Sequence, residues 1–343
     1  MKIKKRLKKA GLTVGIVLFV LILGLIINNR ICYFIFSHKD IASEQLSEAE
    51  KEAVYQVYDY LKENGEDIFP GFDDSSTDLI IYNEKYEFLF SVNEEEMGWV
   101  RLEYNTETER SIFRREAEGS TAFAVKVNGR WVGSFDTMAA YNKEITKIIP
   151  PVMPPQLFMM DELYYRGIVI HEMVHAFEGN KDNARVDADE HIHHLCSEYY
   201  DNSQFEKLIK QEARYLKAAM SADKQADITK NVKLFIETRK ERHIKCHMSK
   251  EQIHNEAELE WLEGLARYAE YYVSKGSSKA IVKNMLKIEG KAAVHSDERY
   301  YALGMAQAMI LEKLNRDWKM KVLKENYTLE ECLMHNYSDI ASE

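Results

Sequence analysis

The chain is short of the residues that break or staple a fold. Its 343 residues include 15 glycines, five prolines and four cysteines. So little Gly and Pro, beside many Glu, Lys and Tyr, argues against a many-stranded sandwich or barrel and for a largely helical body. Cys32, Cys196, Cys246 and Cys332 form no CxxC pair, which removes the usual cysteine zinc site. Outside the cytoplasm a disulfide among the last three is permitted, though their spacing chooses no pair. Internal repeats and long low-complexity runs are absent. Excess positive charge is missing from most of the chain as well. Residues 1–30 hold seven basic groups and no acid, so the net charge of −10 leaves −17 on residues 31–343. Such an acidic body argues against a nucleic-acid partner and against lying flat on anionic lipid. Plain solubility accounts for it.

Long hydrophobic runs are missing too, with one exception. "MKIKKRLKK" carries six basic residues, and "AGLTVGIVLFVLILGLII" follows. That run of about 18 apolar or small residues is long enough to cross a bilayer core. The next residues, "NNRICYFIF", offer no small-residue cleavage site. The expectation is an uncleaved, single-pass signal anchor in the cell membrane. Residues 1–10 form a basic cytoplasmic tail, residues 11–29 span the membrane, and the remainder is extracytoplasmic.

Residues 43–64 read as an amphipathic helix. Ser43 and Ser47 are candidate caps, Ala53, Val54, Val57, Tyr58 and Leu61 form its stripe, and Gly65 is a stop. Residues 66–135 alternate and are rich in aromatic and β-branched side chains, and Asn128-Gly129 between two such runs signals a hairpin. A small, mainly antiparallel sheet is expected there. "IIPPVMPPQ", 148–156, holds four of the five prolines and marks a linker. Everything after it looks helical. The fold class is therefore α+β, with linker and helix at 30–66, a β-rich part at 67–150 and a helical part at 151–343.

The chemistry centres on "GIVIHEMVHAFEGN", 167–180, inside a helix expected over 161–178 with Gly179 able to end it. Residues four apart lie one above the other on a helix, so His171 and His175 can grip one ion. Glu172 then lies beside that ion, where it can take a proton from water. The alternative is two satisfied core histidines. Downstream, Ser249 and Gln252 form a capping box, so a helix starts near Lys250. Glu256, Glu260 and Glu263 share one face of it, and Gly264 sits in its interior. Stacked like charges and a mid-helix glycine are both unfavourable. A cation against this face and a second backbone pressed close would explain them; a solvated acidic face is the plain alternative.

HEMVHAFEGN resembles the active-site helix of the gluzincin metallopeptidases, above all the aminopeptidase N group, with Gly179 and Asn180 at matching positions. "WLEGLARYAE" is similar to the group's second helix through Glu263, Gly264, Tyr268 and Glu270. "YALGMAQAMILEKL" resembles its Tyr-x-x-Gly segment through Tyr301 and Gly304. The resemblance covers about a third of the chain. It implies zinc held by His171, His175 and Glu263, with Glu172 as general base and Tyr301 steadying the oxyanion. Glu270 and Asn180 are the implied outer supports of the ligands. Two features depart from that group. His175 and Glu263 are 88 positions apart, so 181–248 is a helical insertion. The Gly-x-Met-Glu-Asn segment that grips a free N-terminus is missing, which leaves endopeptidase and aminopeptidase action both open. "NEAE" is also similar to the third-ligand segment of the lethal-factor-like gluzincins, which keeps Glu258 open as the ligand.

Lys181 stands where a metzincin needs its third histidine. The group His191, His193, His194 and Cys196 either binds metal itself or forms a polar helix face. Asp187 and Asp189 are further candidates for orienting the histidines. The expectation is a membrane-anchored zinc metallopeptidase acting on a peptide or protein along a sheet edge. A catalytically silent binding protein and a zinc hydrolase of a non-peptide substrate are the rival classes.

Overall fold

The computed structural model describes residues 2–38, 41–117, 119, 122–189, 192, 202–314 and 317–340, with the side chains of 2–10, 189 and 336–340 outside the description. The His191–Cys196 group lies outside the described residues, as does the Asp189 side chain.

Helix α1 (Lys2–Ser37) leads into α2 (Glu48–Ile68). From Gly11 to Ser37, α1 is long and apolar enough to cross a membrane, and none of its most apolar window is buried. It continues past the expected end at residue 29, and no Pro or Gly follows that end until Gly65. Ser47 caps α2 reciprocally with Glu50. Gly65 lies within α2 rather than ending it: an added Cβ would sit 1.9 Å from the Phe72 carbonyl oxygen. Close packing, not termination, requires that glycine.

Six strands follow: β1 (Leu79–Tyr82), β2 (Tyr86–Ser91), β3 (Val100–Asn105), β4 (Arg110–Glu116), β5 (Phe123–Val127) and β6 (Arg130–Asp136). They form one sheet in the order β3-β4-β2-β1-β6-β5. All pairs are antiparallel except β1 with β6. Asn128 and Gly129 take positive φ and close the β5–β6 hairpin. Alternate residues serve opposite faces, as a pleated strand requires. Leu79, Ile81, Phe88 and Phe90 join the main core. Ile80, Tyr82, Leu89 and Val132 pack into a smaller cluster on the other face.

Helix α3 (Met138–Ile148) and a 3-10 turn (Pro155–Leu157) lead into α4 (Glu162–Lys181). Among the described residues seven further helices follow: α5 (Asn183–Asp189), α6 (Ser203–Ser221), α7 (Gln225–Lys245), α8 (Lys250–Ser274), α9 (Ala280–Met285), α10 (Ile288–Ala292) and α11 (Glu298–Leu314). Two short ones, α12 (Trp318–Lys324) and α13 (Leu329–Ile340), complete the body. Ser249 and Gln252 form the capping box at the start of α8.

The acidic face of α8 divides in two. Arg239 and Arg242 of α7, both buried, take Glu260 at 2.5 Å and Glu256 at 2.7 Å, while Glu212 of α6 bridges the two guanidiniums. The cations opposite Glu256 and Glu260 are thus side chains of the insertion. These carboxylates are buried, and buried charge is tolerated only when paired. Glu263, one turn further, faces elsewhere.

Gly264 meets Gly304 of α11 backbone to backbone. A Cβ on Gly264 would lie 2.5 Å from the Gly304 Cα, and a Cβ on Gly304 would lie 2.2 Å from the Glu260 carbonyl oxygen. Replacing an exposed helix glycine by alanine gains about 1 kcal/mol. Here the sign reverses. Gly304→Ala is expected to cost about 1–3 kcal/mol through overpacking, measured by denaturant unfolding of the purified protein; equal or greater stability would contradict this crossing.

Candidate metal centre

Helix α4 lies against β6 on one side and α8 on the other. On the sheet side Gly179 is inside the helix, not at its end, because a Cβ there would meet the Trp131 ring at 2.5 Å. Asn180 accepts from the Trp131 N–H and donates to the Trp131 carbonyl, both at 2.9 Å. Its amide fastens α4 to β6 and is not directed at either histidine, contrary to the role the resemblance implied. On the α8 side, a Cβ on Gly167 would lie 2.9 Å from the Glu270 carbonyl oxygen. The absent side chain lets α8 approach one turn before His171.

That approach brings side chains 88 positions apart together. Glu263 Oε2 lies 3.5 Å from His171 Nε2 and 3.5 Å from His175 Nε2. The outward ring nitrogens each meet another carboxylate. His171 Nδ1 is 3.1 Å from Glu270 Oε2, and His175 Nδ1 is 3.7 Å from Glu178 Oε2. Arg267 in turn holds Glu270 at 2.9 Å. His171, Glu172 and His175 are buried and offer donor atoms all within 4.8 Å of one another, a group that could hold a metal ion. The two distances from Glu263 are close to those between neighbouring ligands of a tetrahedral ion. Metal–ligand bonds of about 2.0–2.1 Å place neighbouring ligands about 3.3–3.4 Å apart.

Charge points the same way. Four buried carboxylates (Glu172, Glu178, Glu263 and Glu270) surround two imidazoles, with Arg267 paired to Glu270 and Arg185 and Lys291 acting on Glu178 and Glu270 from further off. With neutral imidazoles the buried cluster carries an excess of negative charge, in a site where burial penalises each carboxylate. Without an ion, protons compensate. Burial would lower His175, but the charges of Glu263 and Glu172 and its contacts with Glu178 and Glu263 push it up to about 10. His171 is raised as well, its contacts with Glu263 and Glu270 overcoming burial. Burial raises Glu172, and raises Glu178 to about 7. Glu270 is lowered despite burial, chiefly by Arg267 and the His171 contact.

Tyr301 stands beside this cluster, its ring 6.3 Å from that of His171 and nearly parallel to it. Burial, the Glu263 charge and a hydrogen bond to Glu263 push its phenol up, so it remains a donor. A cavity of about 180 Å³ opens next to it, lined by Tyr164, Ile168, Arg267, Met285, Lys291 and Met305 among others. On the opposite side Phe123 of β5, an edge strand, packs on the His175 ring at 4.6 Å.

The remaining sequence candidates sit elsewhere. Glu258 is held bidentately by Arg185 at 2.5 and 3.0 Å, so its charge is already paired. Asp187 binds Lys126 and Asn183. Tyr268 packs with Phe69 and Trp318. Glu178, Arg267 and Phe123 were missed by sequence reasoning. Glu178 had a visible signal, since it stands three residues after His175 and so one turn along the same helix. Phe123 had none, because nothing local joins β5 to α4.

These shifts fix a pH dependence for metal-free protein. A raised folded pKa adds stability that is fully present below the unfolded value and lost as pH rises through the folded one. His175 therefore makes chelator-treated protein less stable as pH climbs from about 6.5 to about 10. Added Zn²⁺ should reverse this slope, because metal and proton compete for the same nitrogens. Melting temperatures across that range, with chelator and with zinc, test it; parallel curves would contradict it. No family model, curated protein or solved structure matches the chain.

Proposed function

We propose that the chain is a membrane-anchored, zinc-dependent metallopeptidase whose catalytic lobe lies outside the cytoplasm. One observation carries this reading. Both imidazole Nε2 atoms turn to the same Glu263 oxygen, while His171 Nδ1 bonds the outer carboxylate of Glu270 and His175 Nδ1 lies 3.7 Å from that of Glu178, too far for a hydrogen bond. Ligating histidines usually donate their second N–H as His171 does to Glu270, which fixes tautomer and ring orientation. A core pair satisfied for stability alone would not need four glutamates around it. Zinc suits two imidazoles and a carboxylate, the donor set of a catalytic site with one open position. The basic flank of α1, expected to stay in the cytoplasm, sets the orientation.

Zinc bound there supplies Lewis acidity, lowering the pKa of a water it holds and polarising a carbonyl. Glu172 accepts the proton of the attacking water and returns it to the leaving amine. Its raised pKa suits both halves of that transfer. The Tyr301 phenol donates to the carbonyl oxygen as charge builds on it. Glu270, steadied by Arg267, holds the His171 ring in place, and Glu178 is the carboxylate nearest His175 Nδ1, at 3.7 Å. An extended peptide can pair with the free edge of β5, whose Phe123 already touches the site. The cavity beside Tyr301 then receives one of its side chains.

Purified protein is expected to hold one Zn²⁺ per chain. His175→Ala and Glu263→Ala should abolish this, Glu178→Gln should weaken binding by about 10–100-fold, and Glu258→Ala should leave it unchanged. Zinc retained by Glu263→Ala and lost by Glu258→Ala would overturn the ligand assignment.

Glu172→Gln should retain zinc and lose about 10²–10⁴ in kcat on a peptide library. Tyr301→Phe should lose about 10²–10³ in kcat. N-acetylated peptides separate endopeptidase from aminopeptidase action. Zinc bound with no peptide cleaved would support a binding protein instead, and cleavage of esters alone a different hydrolase.

A further inference from the structure

We infer that the proline-rich loop 148–157 is a second membrane contact, seated in the outer interface of the bilayer beside α1. This rests on reading α1 as membrane-spanning. The loop "IIPPVMPPQL" contains no charged residue, in a chain that is 30% charged. Its large apolar side chains point outward: Ile148 is 72% exposed, Val152 49%, Met153 37% and Leu157 52%. Clustered exposure of this kind marks an interaction surface in a way that scattered apolar residues do not.

The position of the loop along α1 identifies the partner as lipid. Ile26, Asn29, Arg30 and Tyr33 share a hollow of about 420 Å³ with residues 146–151. Asn28 and Gln156 exchange two side-chain hydrogen bonds, at 3.0 and 3.1 Å. The Gln156 amide also reaches Cys32 Sγ at 3.0 Å. Both ends of the loop are therefore held against residues 26–33 of the helix. A bilayer core about 30 Å thick takes about 20 helical residues. A span that begins at Gly11 then ends near Ile31, beyond the level of Ile26. The outward face of α1 stays apolar above that level, with Phe34 60% and Ile35 52% exposed. The loop thus lies at a height where the helix itself is dressed for lipid.

Backbone chemistry permits the placement. Irregular backbone at membrane depth must not leave its N–H groups unsatisfied. Pro150, Pro151, Pro154 and Pro155 have no N–H to satisfy. Of the other N–H groups, those of Ile149, Met153, Leu157 and Phe158 each donate to a carbonyl within the segment or the end of α3, and the interface, unlike the bilayer core, offers water to those of Val152 and Gln156. The contact is apolar rather than electrostatic, so it is compatible with the acidic body.

The test uses the full chain in phosphatidylcholine nanodiscs, with a benzophenone side chain placed by codon reassignment at Val152 or Leu157. Leu18 in the apolar run and the exposed Glu109 in the β3–β4 turn serve as reference positions. Illumination is expected to add the mass of one phospholipid at Val152, Leu157 and Leu18, and none at Glu109. Lipid adducts at Leu18 with none at Val152 or Leu157 would overturn the loop contact while leaving the spanning helix intact. No adduct at any of the three would remove the spanning helix, and the loop contact with it.

Discussion

The candidate site depends on the close crossing of three helices. α4 presents two imidazoles one turn apart, α8 presents one carboxylate, and neither helix could make the site alone. Gly167 lets α4 and α8 approach, and the Gly264–Gly304 contact holds α8 against α11, which carries Tyr301. A side chain at any of these glycines would come within 3.0 Å of a neighbouring helix and force it to shift. Site geometry is sensitive on that scale, because a tetrahedral ion accepts little variation in the distances among its ligands. The same contacts that build the core also set the separation of Nε2 from Oε2.

The insertion between α4 and α8 contributes to this arrangement. It supplies Arg239 and Arg242, which neutralise Glu256 and Glu260 and leave Glu263 as the stripe's member turned to the histidines. A helix with three stacked glutamates is otherwise poorly placed in a protein interior. The charge balance of the metal centre and that of the neighbouring ionic cluster are therefore met by different means, one by guanidiniums and one by protons or a cation.

What was legible in the sequence was mostly local. Two histidines one turn apart on one helix, a capping box at Ser249 and an Asn-Gly hairpin are short-range signals, and each appears where it was expected. Gly264 was readable as a close-approach site because its cost as a helix residue needed a reason. Partners that meet only in the folded chain were not readable. The parallel pairing of β1 with β6 depends on a crossover, and the fate of Glu256, Glu258 and Glu260 depends on arginines from α5 and α7. Gly65 and Gly179 were misread for the same reason: a glycine near a helix end looks like a stop until the neighbour pressing on it is known. Asn180 matched a motif position, yet its amide is used to pin a strand.

The most direct test of the central claim is X-ray absorption at the zinc edge of metal-loaded protein, with a crystal structure phased on the anomalous signal. The account predicts two imidazole nitrogens and carboxylate and water oxygens at about 2.0–2.2 Å, with the ion between His171, His175 and Glu263. Sulfur in the shell, or an ion located among His191, His193 and His194 instead, would contradict it.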